Sequence, residues 1–175
     1  MTVKTWRCEI CGDPYIGEDR PSHCPFCGAL AKYIIDAKAY RQPEVGELTE
    51  TEKNNIFEAI KLEVANSLFY FCASRTAKDM ELQARFRALG KVESEHAGVL
   101  SKIVNAQKPI IDRNAGECPD TDEAIVKMSF ERETKAVEHY KKFLEEAKDT
   151  RVRQVFTALF EIEGTHIDLA GSTQG

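Results

Sequence analysis

Beyond residue 47 the apolar residues recur every three or four positions. Four segments carry this helical period, roughly residues 49–77, 81–105, 121–147 and 150–170. Only a few residues around Asp79 part the first two, and a few around Asp149 the last two, so each pair must run antiparallel. An aspartate at each turn suits the N-cap of the following helix, because its carboxylate can accept from the first free N–H groups. From Glu47 on, the only prolines are Pro109 and Pro119, both in the stretch from Gln107 to Asp120, which is long enough for a crossover. The first 35 residues differ: they are rich in Cys, Gly and Pro and lack a helical period. The pattern predicts a small module over residues 1–37, a linker over 38–48 and a mainly α four-helix bundle over 49–172.

The helical part repeats itself. Shifted by 70 residues without a gap, Glu63 meets Glu133, Tyr70 meets Tyr140 and Ala77-Lys78-Asp79 meets Ala147-Lys148-Asp149. Phe86 meets Phe156, Ala88-Leu89 meets Ala158-Leu159, Glu93 meets Glu163 and His96 meets His166. These are ten identities over 34 columns, where ordinary composition gives about two by chance. One helical hairpin is used twice, which predicts a pseudo-twofold axis between the copies.

That repeat sets the chemistry. Glu63 lies sixteen residues before the turn at Asp79, and Glu93 and His96 lie fourteen and seventeen after it. At about 1.5 Å rise per residue, all three sit roughly 21–26 Å from the turn, level across the hairpin. Glu93 and His96, spaced i, i+3, share a face. The same counts hold for Glu133, Glu163 and His166 around Asp149. Two hairpins brought together therefore converge four glutamates and two histidines, the donor set of ferritin-like di-iron and di-manganese bundles. Four carboxylate charges balance two divalent cations, and oxygen and nitrogen donors suit iron or manganese. Tyr70 and Tyr140, seven residues after Glu63 and Glu133, are expected either to fill core or to hydrogen-bond a carboxylate ligand. His139 points off the ligand face. Glu131, Glu138 and Glu161 read as solvated.

The cysteines divide into two sets. Cys8-x-x-Cys11-Gly12 and Cys24-x-x-Cys27-Gly28 are two tight pairs twelve residues apart. Their spacing gives a tetrahedral four-thiolate site for a single iron or for zinc, and a purely structural zinc ribbon is the alternative. The glycines permit the positive φ that such turns need. Trp6, Tyr15, Phe26 and Tyr33 are expected to cover the module's small core, which the metal helps to hold together. His23, beside Cys24, reads as a surface residue. Cys72 and Cys118 are expected to be a buried thiol and a loop thiol.

Composition narrows the class. Lys and Arg number 24 against 29 Asp and Glu, a net charge of −5, so there is no basic excess for a nucleic-acid partner. The first twenty residues lack the apolar run of a signal peptide, and no stretch has the length of a membrane span. The expectation is a cytoplasmic protein in which paired cysteines hold metal rather than disulfides.

Taken together, the chain resembles a rubrerythrin. Cys8, Cys11, Cys24 and Cys27 resemble that family's rubredoxin-like site. Glu63 with Tyr70, Glu93 with His96, Glu133 with Tyr140 and Glu163 with His166 resemble its ferritin-like di-iron domain. The cysteine module comes first here, as in the "reverse" members. The resemblance implies two non-haem irons in the bundle, one iron (or zinc) in the four-cysteine site, and reduction of hydrogen peroxide or dioxygen to water. Glu93 and Glu163 would bridge the metals, with Glu63 and His96 at one end and Glu133 and His166 at the other. It also implies an electron-donating reductase or rubredoxin as partner, and a homodimer or higher homo-oligomer. The module would serve a neighbouring chain, and the linker, able to span about 33 Å extended, permits this. The chain departs from the family pattern at Ala136, where rubrerythrins carry a further glutamate, so the two metal positions should be nearly equivalent. A ferroxidase or iron-handling protein and a non-catalytic metal-binding module are the rival readings.

Overall fold

A computed structural model describes residues 2–171. Three short strands, β1 (Lys4–Cys8), β2 (Pro14–Gly17) and β3 (Ile34–Asp36), form an antiparallel sheet with β1 in the centre. Four helices follow: α1 (Glu50–Thr76), α2 (Met80–Ile103), α3 (Asp122–Glu146) and α4 (Thr150–Gly171). They agree with the periodic segments to within two residues at each end. Among the described residues no helix is long and apolar enough to cross a membrane.

Local chemistry fixes the helix ends. Thr49 and Glu52 form a reciprocal capping box at the start of α1. The Asp79 carboxylate accepts from Leu82 N–H, and that of Asp149 from Arg151 and Val152 N–H, so both turn aspartates cap as expected. The two hairpins also clasp each other. Glu52 Oε1 accepts from the N–H groups of Lys148 (2.8 Å) and Asp149 (2.7 Å) in the α3–α4 turn. Asp122 accepts from the N–H groups of Lys78 (2.7 Å) and Asp79 (3.0 Å) in the α1–α2 turn. Residues 52 and 122 are themselves 70 apart, so the clasps are related by the repeat. Each hairpin's turn is completed by a carboxylate of the other.

The crossover corrects one expectation. Cys72 and Cys118 are disulfide-bonded, with Cα atoms 5.8 Å apart across 46 residues of sequence. The crossover folds back along α1, where Arg75 donates to the carbonyls of Arg113, Asn114 and Ala115. That return path brings residue 118 beside Cys72, which pairwise spacing in the sequence does not disclose.

The cysteine module sits on the bundle, over the side formed by α2 and α4. Arg151 of α4 donates to the carbonyls of Glu9 (2.7 Å) and Ile10 (2.6 Å), and Lys102 of α2 to that of Cys11 (3.1 Å). Glu161, expected to be solvated, instead accepts from Lys32 Nζ (2.5 Å) and Tyr33 OH (3.0 Å). The apolar core runs without a break from Cys27, Ala29 and Ile34 into Val155, Leu159 and Ile162. Trp6 and Tyr33 pack against it, whereas Phe26 is 42% exposed and covers little.

Glu52 gives a prediction. Burial alone would raise its pKa, but N–H donors from Asp149, Thr49 and Lys148 outweigh this and hold the carboxyl at about 2, below the ordinary 4.5. A depressed carboxylate stabilises the fold above its unfolded pKa, and the contribution fades as pH falls through the folded one. Glu52→Gln should therefore cost about 2 kcal/mol near pH 7, with the difference from wild type shrinking between about pH 4.5 and 2. Denaturant melts across that range measure it.

Candidate metal centre

The cysteine site is built from two equivalent turns. Gly12 N–H donates to Cys8 O and Gly28 N–H to Cys24 O, with φ of +87° and +74° at the two glycines. Within the first turn, Ile10 N–H and Asp13 N–H point at the sulfurs of Cys8 and Cys11, each at 3.4 Å. All four cysteines are buried. Their sulfurs lie 3.8 Å (Cys8 to Cys27) and 3.7 Å (Cys11 to Cys24) apart. A tetrahedron with about 2.3 Å metal–sulfur bonds has edges of about 3.8 Å, so the sulfurs stand at the spacing of a metal tetrathiolate.

The second constellation lies mid-bundle. Glu63 on α1, Glu93 and His96 on α2, Glu133 on α3, and Glu163 and His166 on α4 meet in the core, five fully buried and His166 nearly so. They form two overlapping groups: Glu63, Glu93, His96 and Glu163, and Glu93, Glu133, Glu163 and His166, each with donor atoms within 4.8 Å of one another. Glu93 and Glu163 belong to both groups. His96 Nδ1 lies 3.1 Å from Glu93 and 3.3 Å from Glu163, and His166 Nδ1 3.1 Å from Glu163 and 3.3 Å from Glu93.

This donor set fits two cations. One oxygen of each glutamate (Glu63 Oε2, Glu93 Oε1, Glu133 Oε2 and Glu163 Oε1) is buried without a hydrogen-bond partner among the described residues. A histidine Nδ1 lies 3.3–3.8 Å from each of them, and buried carboxylate oxygens met so loosely are costly unless a cation or proton joins them. The electrostatics reflect the crowding. Burial and the Glu93 carboxylate push Glu63 well above the carboxylate range, and burial and Glu163 do the same to Glu133. Burial alone would depress His96, but the Glu63 carboxylate and hydrogen bonds donated to the glutamates raise it, and His166 rises similarly beside Glu163.

Both tyrosines are fully buried and reach across the axis. Tyr70 of the first hairpin donates to Glu133 of the second, and Tyr140 of the second to Glu63 of the first. Burial and the neighbouring carboxylates raise both phenol pKa values, so they stay protonated donors. Each thus orients a glutamate of the opposite hairpin rather than the one on its own helix. Same-face reasoning along a single helix misses this.

The two sites touch. His96 Nε2 donates to the carbonyl of Cys27 at 2.9 Å. In the neutral ring that bond fixes the tautomer and leaves the Nδ1 lone pair facing the carboxylates, the form a metal ligand needs. Gly28 lies so close to the bundle that a Cβ there would meet Ile162 at 3.3 Å. Sequence reasoning does not find the Cys27 carbonyl, because a backbone atom carries no residue signature.

The rubrerythrin family model matches residues 54–172. The chain belongs to the rubrerythrin family. No curated protein and no solved structure matches it. The match takes in the four helices, except the first turn of α1, and all six clustered Glu and His residues, while the cysteine module lies outside it. As in the family, the bundle is ferritin-like, and the carboxylate–histidine cluster and the four-cysteine cluster are both groups that could bind metal. Ala136 is fully buried and offers no donor. Of the remaining sequence candidates, His23 is exposed, and His139 is half-buried with its Nδ1 on the Lys135 carbonyl, away from the cluster.

Because Glu93 belongs to both groups, Glu93→Ala should disable both bundle positions and leave the four-cysteine site loaded. Metal analysis of the purified variant should give at most about one metal per chain against three in wild type. Unchanged stoichiometry would overturn the assignment.

Proposed function

We propose that the protein is a di-iron oxidoreductase that reduces hydrogen peroxide to water, with electrons passed inward from an iron tetrathiolate site. The observation carrying this reading is the Cys27 carbonyl to His96 contact, which joins a four-thiolate site to a carboxylate–imidazole centre through one hydrogen bond. An iron-storage or ferroxidase role gives no reason for that junction. A structural zinc ribbon gives no reason to seat its second knuckle on a metal-binding imidazole.

The overall change is H2O2 + 2H⁺ + 2e⁻ → 2H2O. Bound iron would supply the redox chemistry that carboxylates and imidazoles lack. Glu63, Glu133, His96 and His166 would hold the two ends of the metal pair and Glu93 and Glu163 the middle. Tyr70 and Tyr140, held protonated against Glu133 and Glu63, keep those carboxylates aimed inward and excluded from solvent. Electrons would enter one at a time at the exposed side of the cysteine module from a reductase or rubredoxin, then cross from Cys27 to His96 of the same chain. Dioxygen is the other oxidant the centre could accept. We further propose a cytoplasmic homodimer, in which each chain contains a complete route.

Two measurements test this. The purified protein should show ferric-thiolate absorption in the visible, bleach with reductant and recover on adding peroxide. A colourless four-cysteine site loaded with zinc would sink the electron route. Co-expressed Cys8→Ala and Glu93→Ala chains should form mixed dimers that regain little reductase-driven turnover, because neither chain holds both sites. Recovery toward half of wild type would instead establish transfer between chains.

A further inference from the structure

The centre is enclosed differently on its several sides. The α1–α2 and α3–α4 sides are packed hairpins, and the α2–α4 side is covered by the second knuckle at Gly28, against Val92 and Ile162. The remaining side, between α1 and α3, carries an open groove of about 540 Å³. Leu62 and Asn66 of α1 and Met128, Arg132 and Lys135 of α3 are among its lining. Leu62 and Arg132 directly precede Glu63 and Glu133 on the same helices, so the groove runs along the stretch of α1 and α3 that carries those two glutamates.

Here the repeat breaks. The 70-residue shift sets Asn66 against Ala136, Arg132 against Leu62 and Ser129 against Ala59. All three polar residues gather about Tyr70 and Glu133, and all three counterparts are apolar. Ser129 Oγ lies 2.9 Å from Tyr70 OH, and Arg132 Nη1 donates to Asn66 Oδ1 at 3.0 Å. The guanidinium lies 4.5 Å from the centre of the Phe69 ring. No carboxylate pairs with it among the described residues. Asn66 is 3% exposed, and its Nδ2 and Arg132 Nε are buried donors without an acceptor among the described residues. Native proteins rarely leave two such donors on one hydrogen-bonded pair of side chains.

We propose that the α1–α3 groove admits the oxidant, and that Arg132 and Asn66 hold it with their two unused donors on its way to the Glu133 end of the centre. The ligand class is a small oxygen-centred acceptor of hydrogen-peroxide size, which the two unused donors of the hydrogen-bonded Arg132–Asn66 pair match. This inference rests on the di-metal reading. Oxidant and electrons then arrive on opposite sides of the bundle. The two metal positions differ in their surroundings, although their ligands match.

The test uses the iron-loaded full chain, with azide as a probe of exogenous-ligand binding followed by absorption, and stopped-flow reoxidation by peroxide. Arg132→Met should raise the azide dissociation constant and lower the second-order peroxide rate, each about tenfold, as expected for loss of one charge-assisted hydrogen bond. Metal content should stay at wild-type level, and Arg132→Lys should recover part of both effects. Ala65→Trp, which fills the groove from its rim, should slow peroxide without changing metal content. Ala84→Trp, in a separate groove near the α1–α2 turn, should leave the peroxide rate unaltered. If Arg132→Met loses iron, the two tryptophan variants decide. Wild-type rates in Ala65→Trp, or equal slowing by Ala84→Trp, would overturn the entrance, as would an unchanged azide constant in metal-replete Arg132→Met. A wild-type protein without bundle iron would instead fail at the di-metal reading, and this inference would fall with it.

Discussion

Four carboxylates buried at the middle of a helical bundle are the constraint from which most of this structure follows. Ionised groups in such surroundings repel one another and lack the water that would solvate them. The chain answers with converging imidazoles, with two phenols that stay protonated, and with a geometry that suits two cations. Those groups must come from all four helices at one height, so the hairpin lengths, the short turns at Asp79 and Asp149, and the crossover are all bound to it.

The fold was legible because its signals are local or repeated. Helical period, turn aspartates and the shift that carries Glu63, Glu93 and His96 onto Glu133, Glu163 and His166 can all be read from one-dimensional spacing. So can the paired cysteines with their following glycines. What escaped the reading depends on the path of the chain through space. Cys72 meets Cys118 only because the crossover returns along α1, and Tyr70 orients the opposite hairpin's Glu133 only because the helices pack across the axis. Glu161 meets Lys32 and Tyr33 only because the module settles over α4. The Cys27 carbonyl contact belongs to the backbone and has no residue type to betray it.

The seating of the cysteine module joins two kinds of stability. Its β-sheet is small, but its core continues into the bundle, and its knuckle carbonyls are gripped by Arg151, Lys102 and His96. A domain of some 35 residues is below the size at which apolar burial alone suffices. Here it draws on the surface of its neighbour as well as on any metal it binds. The same contacts set the orientation of His96, so the docking of the module and the geometry of the buried cluster are mechanically one.

The reciprocal clasps at Glu52 and Asp122 have a consequence for ancestry. A lone hairpin would leave two N–H groups of its turn without their carboxylate and hold half of the carboxylate–histidine cluster, and a second identical copy would supply both missing parts. That is the logic of a self-complementary C2 homodimer, of which this bundle is the fused form with the crossover as tether. Identical subunits must change both halves at once. Fusion releases that restriction, so one copy could acquire Asn66 and the other Ser129 and Arg132, while Ala136, Ala59 and Leu62 kept the mirrored positions apolar. A symmetric assembly has no means of telling its two halves apart; a single chain that carries both does.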